Sequence, residues 1–130
     1  MAVLQFVNPP GVHDPAGRYS HVAVATGATR WVLLAGQVGT RPDGTVPEEI
    51  GAQCEQAMAN LLTLLRSQGL GPESIAKMTV FLTDASYIPA AREARMKALG
   101  AITPPASTLL IVAGLAAPIY KVEIEAIACA

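Results

Sequence analysis

The order of extended and helical segments in this 130-residue chain predicts an α+β fold, a mixed β-sheet with two helices packed on one face. Near the C-terminus, apolar and charged side chains alternate strictly, which is typical of a strand with one buried face. Residues 50–65 instead carry an apolar stripe at helical spacing, and such a stripe needs a flat apolar surface to cover. The segments are predicted in the order β, β, β, α, β, α, β, β.

The first part of the chain predicts three strands. A candidate edge strand, Val3–Val7, leads into a loop rich in Pro and Gly, and two β-rich runs follow at His21–Thr26 and Trp31–Gln37. The four residues 27–30 between those runs suit a hairpin. Both histidines of the chain lie in this region, and we interpret them as surface residues because neither has an acid–base partner nearby in the sequence.

A long helix is predicted after a turn. Arg41–Gly44 has the composition of a turn, and Thr45 with Glu48 three residues later has the form of a capping box that would start the helix. The helix is predicted to run to about Gln68, with Gly69 ending it. Its apolar side chains would form one face packed on the sheet. They are Ile50, Cys54, Ala57, Met58, Leu61, Leu62 and Leu65.

A second strand and helix are predicted next. Ala76–Thr83 is a candidate central strand, and a helix from about Ser86 to Leu99 would have Asp84 or Ser86 as its N-cap. Residues 92–97 give this helix a short cationic face, a pattern typical of solvated helix charge.

The last two strands are predicted at Ser107–Ala113 and Tyr120–Ala128, separated by a connection that contains Gly and Pro. In the second of them Glu123 and Glu125 point to the polar face, with Cα atoms about 6–7 Å apart. This spacing fits two solvated carboxylates on an open face, and it also fits two groups that shape a common cavity.

Composition predicts one domain spanning residues 1–130. Because 52% of the residues are hydrophobic and only 15% are charged, some apolar surface is expected to meet another subunit, so an oligomer is predicted. The net charge of −1 without a basic stretch argues against nucleic acid as a partner.

Cys54 and Cys129 have neither metal-ligand nor disulfide spacing, which indicates free thiols in a reducing compartment and predicts a cytoplasmic protein. The start of the chain lacks the features of a signal peptide, and no apolar run approaches the roughly 20 residues of a membrane span. The sequence therefore predicts a soluble protein without membrane contact. It contains no ligand cluster for a metal or an organic cofactor, and none is predicted.

Three blocks, in their order and spacing, resemble the Rid (reactive intermediate deaminase) family, also labelled YjgF or endoribonuclease L-PSP. They are LLAGQV at Leu33–Val38, AKMTVFLTD at Ala76–Asp84 and VEIEAIA at Val122–Ala128. The resemblance covers nearly the whole chain. It implies a chorismate-mutase-like fold and a homotrimer, in which three subunits pack around a barrel-like core and bind a small-molecule ligand at their interfaces.

The resemblance also implies a site. Glu123 would hold and orient an attacking water, and Tyr19 would lie beside the ligand. Backbone groups at Gly36, Gln37 and near Leu109 would contact the substrate.

One departure from the family pattern concerns the carboxylate of the substrate. Deaminating members bind it through an arginine in a Pro-Ala-Arg-Ser block, and this chain has Ser107 in that position. Ser107 would offer one neutral hydrogen bond in place of a bidentate charged pair. Family members place a ligand-contacting polar residue near Arg92, so Arg92 or Arg95 would supply the missing charge unless both are ordinary solvated helix residues.

Three functions remain open on this basis. The first is hydrolysis of imines or enamines of the 2-iminobutanoate and 2-iminopropanoate type, with shifted specificity. The second is a non-catalytic trimer that binds a small molecule, which Ser107 favours. The third is the ribonuclease activity in the old family label, which the negative net charge argues against.

Overall fold

The computed structural model describes residues 3–130, which form a strand pair and a four-stranded sheet. The antiparallel pair consists of β1 (Val3–Val7) and β2 (Val22–Thr26). The larger sheet is built from β3 (Trp31–Val38), β4 (Ile75–Leu82), β5 (Ala106–Ile111) and β6 (Val122–Cys129). Its order is β3-β6-β4-β5, in which β4 and β5 run parallel and the other neighbours run antiparallel. The sheet is therefore mixed, as predicted.

Two helices, α1 (Ile50–Ser67) and α2 (Ile88–Leu99), cover one face of this sheet. The apolar stripe of α1 is the centre of the core, because its largest buried side chains pack with those of β4 and β6. Met58 and Leu61, for example, share one buried cluster with Met78 and Ile124. The α+β class and the predicted element order are confirmed, and each predicted strand end lies within two residues of the observed one.

The alternation predicted for the last strand is also confirmed. Val122, Ile124 and Ala126 are buried against the helices, whereas Glu123 is half-buried and Glu125 is exposed on the opposite face. Because β6 lies between β3 and β4, its opposite face is flanked by strands on both sides. Glu123 is thus held on an interior strand, where its backbone is fixed by two ladders of hydrogen bonds.

The predicted start of the long helix is wrong. Thr45 does not cap α1, because its backbone N–H and its hydroxyl both donate to Asp43, at 2.9 and 2.6 Å. The N-cap is Glu49, whose carboxylate accepts hydrogen bonds from the backbone N–H groups of Gly51 and Ala52 at 2.7 and 2.8 Å. These two bonds hold the pKa of Glu49 below its usual value.

The second helix begins two residues later than predicted. A 3₁₀ turn at Ala85–Tyr87 comes first, and Asp84 caps that turn by accepting a hydrogen bond from the backbone N–H of Ser86 at 2.8 Å. Helix α2 then runs from Ile88 to Leu99, and Gly100 follows as its C-cap, with a φ of 70° that suits glycine.

The predicted hairpin between the second and third strands is wrong as well. Strand β2 pairs only with β1, whereas β3 pairs with β6, so the two belong to different sheets. The connecting residues Thr29 and Arg30 instead donate their backbone N–H groups to the carbonyl of Ala130, both at 3.0 Å. These two N–H groups therefore pair with Ala130 and not with a partner in a hairpin.

The face of the sheet that the helices leave uncovered is apolar at several points. Leu33 is 72% exposed and pairs across the strands with Ile127, which is 39% exposed. Trp31, at the start of β3, is 55% exposed. An apolar surface of this kind fits the expectation that another subunit covers it, and the trimer itself stays a prediction.

Candidate active site

The tightest approach at the candidate site joins Gly36 in β3 to Glu123 in β6. The pairing of these strands shifts register between Leu34 and Gln37, a bulge that contains Gly36. A Cβ atom placed on Gly36 would lie 2.0 Å from Oε2 of Glu123 and 2.8 Å from its Cδ. With any larger residue at this position the carboxylate would have to move, so the glycine allows Glu123 to lie where it does.

Glu123 shares its face of the sheet with other polar groups. Glu123 lies opposite Phe81 on β4, and the exposed Glu125 lies opposite Thr79. The register of β6 is fixed at its start by the buried Gln53, whose amide group bonds the carbonyl of Ile119 at 2.9 Å and the N–H of Lys121 at 2.9 Å. Helix α1 is thus fastened to the residues that lead into β6.

Gln37 follows the bulge but does not reach toward the carboxylate. Its side-chain amide donates to the carbonyl of Ala35 at 3.1 Å, across the bulge itself. The predicted substrate contact through backbone groups at Gly36 and Gln37 stays a prediction.

Four of the predicted site residues lie together in a different place. Tyr19, Arg92, Ser107 and Leu109 line one cleft of about 610 Å³ between the loop before β2, helix α2 and strand β5. This volume is within the usual range for small-molecule sites.

The loop that carries Tyr19 is fastened to the start of β5 by Ser20. The buried Ser20 hydroxyl donates to the carbonyl of Pro104 at 2.7 Å, and its backbone N–H donates to Pro105 at 3.1 Å. A parallel bridge between Ser20 and Ala106 continues the contact. Tyr19 is therefore held beside Ser107 although 88 residues separate them in the chain.

The Ser107 hydroxyl has a cationic neighbour. Nη1 of Arg95 lies 3.5 Å from Ser107 Oγ, a long hydrogen bond. Burial lowers the pKa of Arg95, and the charges of Arg92 and Arg18 lower it further. The cationic face of α2 can be interpreted either as ordinary solvated charge or as a replacement for the family's arginine. This geometry favours the second interpretation, because Arg92 and Arg95 line the cleft.

The two groups of predicted site residues lie on opposite faces of the sheet. Ser107 is in register with Met78, which is buried under the helices, whereas Glu123 is in register with Phe81 on the uncovered face. Within the described part of the chain, Glu123 is not among the residues that line the cleft. One protomer therefore does not bring Glu123 and Ser107 into one cavity.

Sequence reasoning missed a pair of side chains in the cleft. Nε2 of His13 and the hydroxyl of Tyr19 are 2.6 Å apart, and Nε2 of His21 lies 2.7 Å from the carbonyl of His13. The rings of His13 and His21 meet edge to face with centroids 4.8 Å apart. The available signal was the spacing of Tyr19 and His21, since residues two apart in an extended segment point to the same side.

The described residues offer no evident place for a metal. Across residues 3–130, no three His, Cys, Asp or Glu side chains converge in a way that could hold an ion. Neither α1 nor α2 is long and apolar enough to cross a bilayer. Cys54 and Cys129 are free thiols, and both are buried.

Comparisons with known proteins agree with this architecture. Residues 11–130 match the model of the family described as endoribonuclease L-PSP. The chain is 36% identical over 101 residues to the 2-iminobutanoate/2-iminopropanoate deaminase of Escherichia coli K12. The aligned region covers 75% of this chain and 77% of that protein.

Solved structures extend the likeness over the whole fold. The Rid family protein YyfB from Yersinia pestis superposes with a TM-score of 0.90 at 25% identity, covering 98% of both chains. The structure of E. coli TdcF with bound serine superposes with a TM-score of 0.73 at 28% identity, covering 97% of this chain and 98% of that one.

The fold and the site together define a class of small α+β domain with two helices on a mixed sheet. Within that class, the family match over residues 11–130 settles the assignment. The chain belongs to the endoribonuclease L-PSP family, which is the Rid or YjgF family.

Proposed function

We propose that this protein is an imine or enamine hydrolase of the 2-iminobutanoate/2-iminopropanoate deaminase type, with shifted specificity, and that it works as a homotrimer in the cytoplasm. The observation that carries this proposal is the contact between Gly36 and Glu123, because a larger residue at position 36 would displace the carboxylate from its place. The relative in E. coli with that deaminase name, at 36% identity, supports the reaction class.

The proposed reaction consumes one water for each imine. Glu123 accepts a hydrogen bond from the water and takes its proton as the oxygen attacks the C=N carbon. The proton then passes to the nitrogen, and the carbinolamine collapses to a carbonyl compound and ammonia. Enamines enter the same path after protonation at carbon, which converts them to imines.

The carboxylate of the substrate needs a cation, and Arg95 with Ser107 is the proposed anchor. The two side chains lie 3.5 Å apart, so the serine can share a bound carboxylate with the guanidinium. Since Ser107 and Glu123 are on opposite faces of one protomer, the complete site requires a neighbouring copy. The exposed apolar residues Leu33 and Ile127 support such a neighbour.

A second candidate function is a non-catalytic trimer that binds a small molecule. It is favoured by Ser107, which offers no charge of its own where the deaminating members have arginine. The loss of a bidentate charged contact is worth about tenfold to a hundredfold, so turnover of simple 2-aminoacrylate-type enamines is expected to be weak.

The test is turnover of a panel of imines by the native protein and by two matched variants. Glu123→Gln keeps the size of the side chain but cannot take a proton, so it should lower turnover about a hundredfold or more. Glu125→Gln makes the same change two residues away on the same face and should have little effect. Equal effects of the two variants, or no hydrolysis of any imine by the native protein, would favour the binding module.

A further inference from the structure

Three arginines converge on the cleft beside Ser107. Arg18 from the loop and Arg92 and Arg95 from α2 line the cleft of about 610 Å³, and the same three line a smaller cavity of about 260 Å³ next to it. They therefore form the wall between two adjoining spaces. In a chain with a net charge of −1, this is a strong local concentration of positive charge.

None of the three guanidinium groups has a carboxylate partner within residues 3–130. The single ion pair formed by these residues is the exposed one between Lys97 and Glu55, at 3.4 Å. Arg18 and Arg92 donate no side-chain hydrogen bond inside the described chain, and Arg95 donates only the long one to Ser107.

One acidic group does line the cleft, but it is engaged elsewhere. Asp14 accepts a hydrogen bond from the backbone N–H of Ala16 at 2.9 Å and lies outside ion-pair distance of the arginines. Within one protomer, three guanidinium groups against one carboxylate leave the cleft with two uncompensated positive charges.

The like charges repel one another, most of all at the half-buried Arg95. Burial and the like charges of its neighbours lower the pKa of Arg95, which means that its charged form is destabilised where it lies. Proteins keep clustered cations of this kind where an anion binds, since guanidinium groups pair with carboxylates or phosphates in a bidentate geometry.

We propose that the cleft formed by Arg18, Arg92, Arg95 and Ser107 binds a small molecule with two acidic groups, of the dicarboxylate class. Two negative charges would neutralise the two positive charges left by the protein. A single carboxylate, as in simple 2-imino acids, would leave one guanidinium without a counter-charge.

The smaller cavity indicates what lies between the acidic groups. Apart from the arginines and residues 16 and 17, it is lined by an apolar set, which fits a short aliphatic chain. That set is Met96, Leu99, Ile102 and Pro104, with Gly100. If the dicarboxylate is taken as the substrate class of the hydrolase, this assignment rests on the proposed function. The binding of a dicarboxylate in the cleft does not depend on that function.

Binding of succinate, butyrate and inorganic phosphate, measured by titration calorimetry on the whole protein, tests the proposal. Succinate should bind about tenfold or more tightly than butyrate, which has the same chain length and one acidic group fewer. Arg92→Gln should lower the affinity for succinate by about tenfold or more. Lys97→Gln removes the same charge from the same helix outside the cleft and should leave the affinity unchanged.

Arg18→Gln provides a second variant, because this exposed loop side chain packs in no core and its loss should not prevent folding. It too should weaken succinate binding. Equal affinity for succinate and butyrate, absence of succinate binding, or an equal loss in Lys97→Gln and Arg92→Gln would overturn the proposal. Tighter binding of inorganic phosphate than of succinate would overturn the dicarboxylate assignment.

Because succinate is not an imine, this result is independent of turnover. Succinate binding without hydrolysis of any imine would uphold the anion site and refute the proposed reaction. Hydrolysis of imines without preference for a second acidic group, together with equal succinate and butyrate affinity, would uphold the reaction and refute the anion site.

Discussion

The two faces of the four-stranded sheet carry different chemistry. Around α2 and β5 the surface is a cationic cleft, whereas the uncovered face carries the carboxylates of Glu123 and Glu125 among exposed apolar residues such as Leu33. In the cleft, arginine side chains lack carboxylate partners among the described residues. On the uncovered face, apolar side chains are exposed to solvent. The difference teaches that the two halves of the proposed site lie apart in one protomer, so the proposal depends on a second copy.

The largest expected effect comes from charging the apolar face. Leu33→Glu would place an unpaired carboxylate where the trimer interface is proposed, and an uncompensated buried charge costs several kcal/mol. We expect the assembly constant to fall by about a hundredfold or more, measured by light scattering over a range of concentrations.

Ala59→Glu is the control for that change, because Ala59 is exposed on α1, away from both the uncovered face and the cleft. It should leave assembly intact. If both variants assemble like the native protein, the uncovered face is not the interface.

The next prediction concerns the position of the Glu123 carboxylate, which can be changed without destabilising the fold. In Gly36→Ala the new Cβ would lie 2.0 Å from Oε2 of Glu123, and because this atom ends a flexible side chain, the carboxylate can move away without disturbing the backbone. We expect the melting temperature to change little and turnover to fall about tenfold or more.

A matched control for Gly36→Ala is Gly114→Ala, where an added Cβ meets nothing within 4 Å. Its turnover should be that of the native protein. A Gly36→Ala variant that stays folded and keeps full turnover would show that the contact with Glu123 has no role in positioning.

The last effect concerns the core and is absent at neutral pH. Burial raises the pKa of the Cys54 thiol to about 11 from 9.0. Between pH 9 and 11 the unfolded chain has lost this proton while the folded chain retains it, so stability falls as pH rises through that window. Two pKa units correspond to about 3 kcal/mol, the upper limit of the expected loss.

Urea unfolding at pH 8 and at pH 10.5 would measure this loss, with Cys54→Ala as the variant in which the pH dependence is reduced. The substitution itself costs stability at every pH by leaving a cavity, so the slope against pH is the readout. An unchanged slope would mean that the thiol titrates in the native state as it does in the unfolded chain.

Much of the fold was predictable because its signals are local. The alternation around Glu123 and the stripe of α1 through Met58 each follow from the geometry of one element, and both predictions are confirmed. The predicted N-cap of α1 is wrong for a local reason, because the hydroxyl of Thr45 donates to Asp43 two residues earlier.

The missed features depend on contacts far apart in the chain. No local pattern shows that the carbonyl of Ala130 takes the backbone N–H groups of Thr29 and Arg30, which displaced the predicted hairpin. For the same reason the convergence of Arg18 on α2 was not predicted, because the loop that carries Arg18 is fastened to the start of β5.

The most direct test of the central claim, that the site is shared between copies, uses mixed trimers. Glu123→Gln and Arg95→Gln would be co-expressed with different tags, and trimers that carry both tags would be purified. In a cyclic trimer with each site built across an interface, every such mixed trimer contains one intact pair of residues. About one third of the native turnover should then return, although each variant alone is nearly inactive. Mixed trimers as inactive as their parents would contradict the shared site.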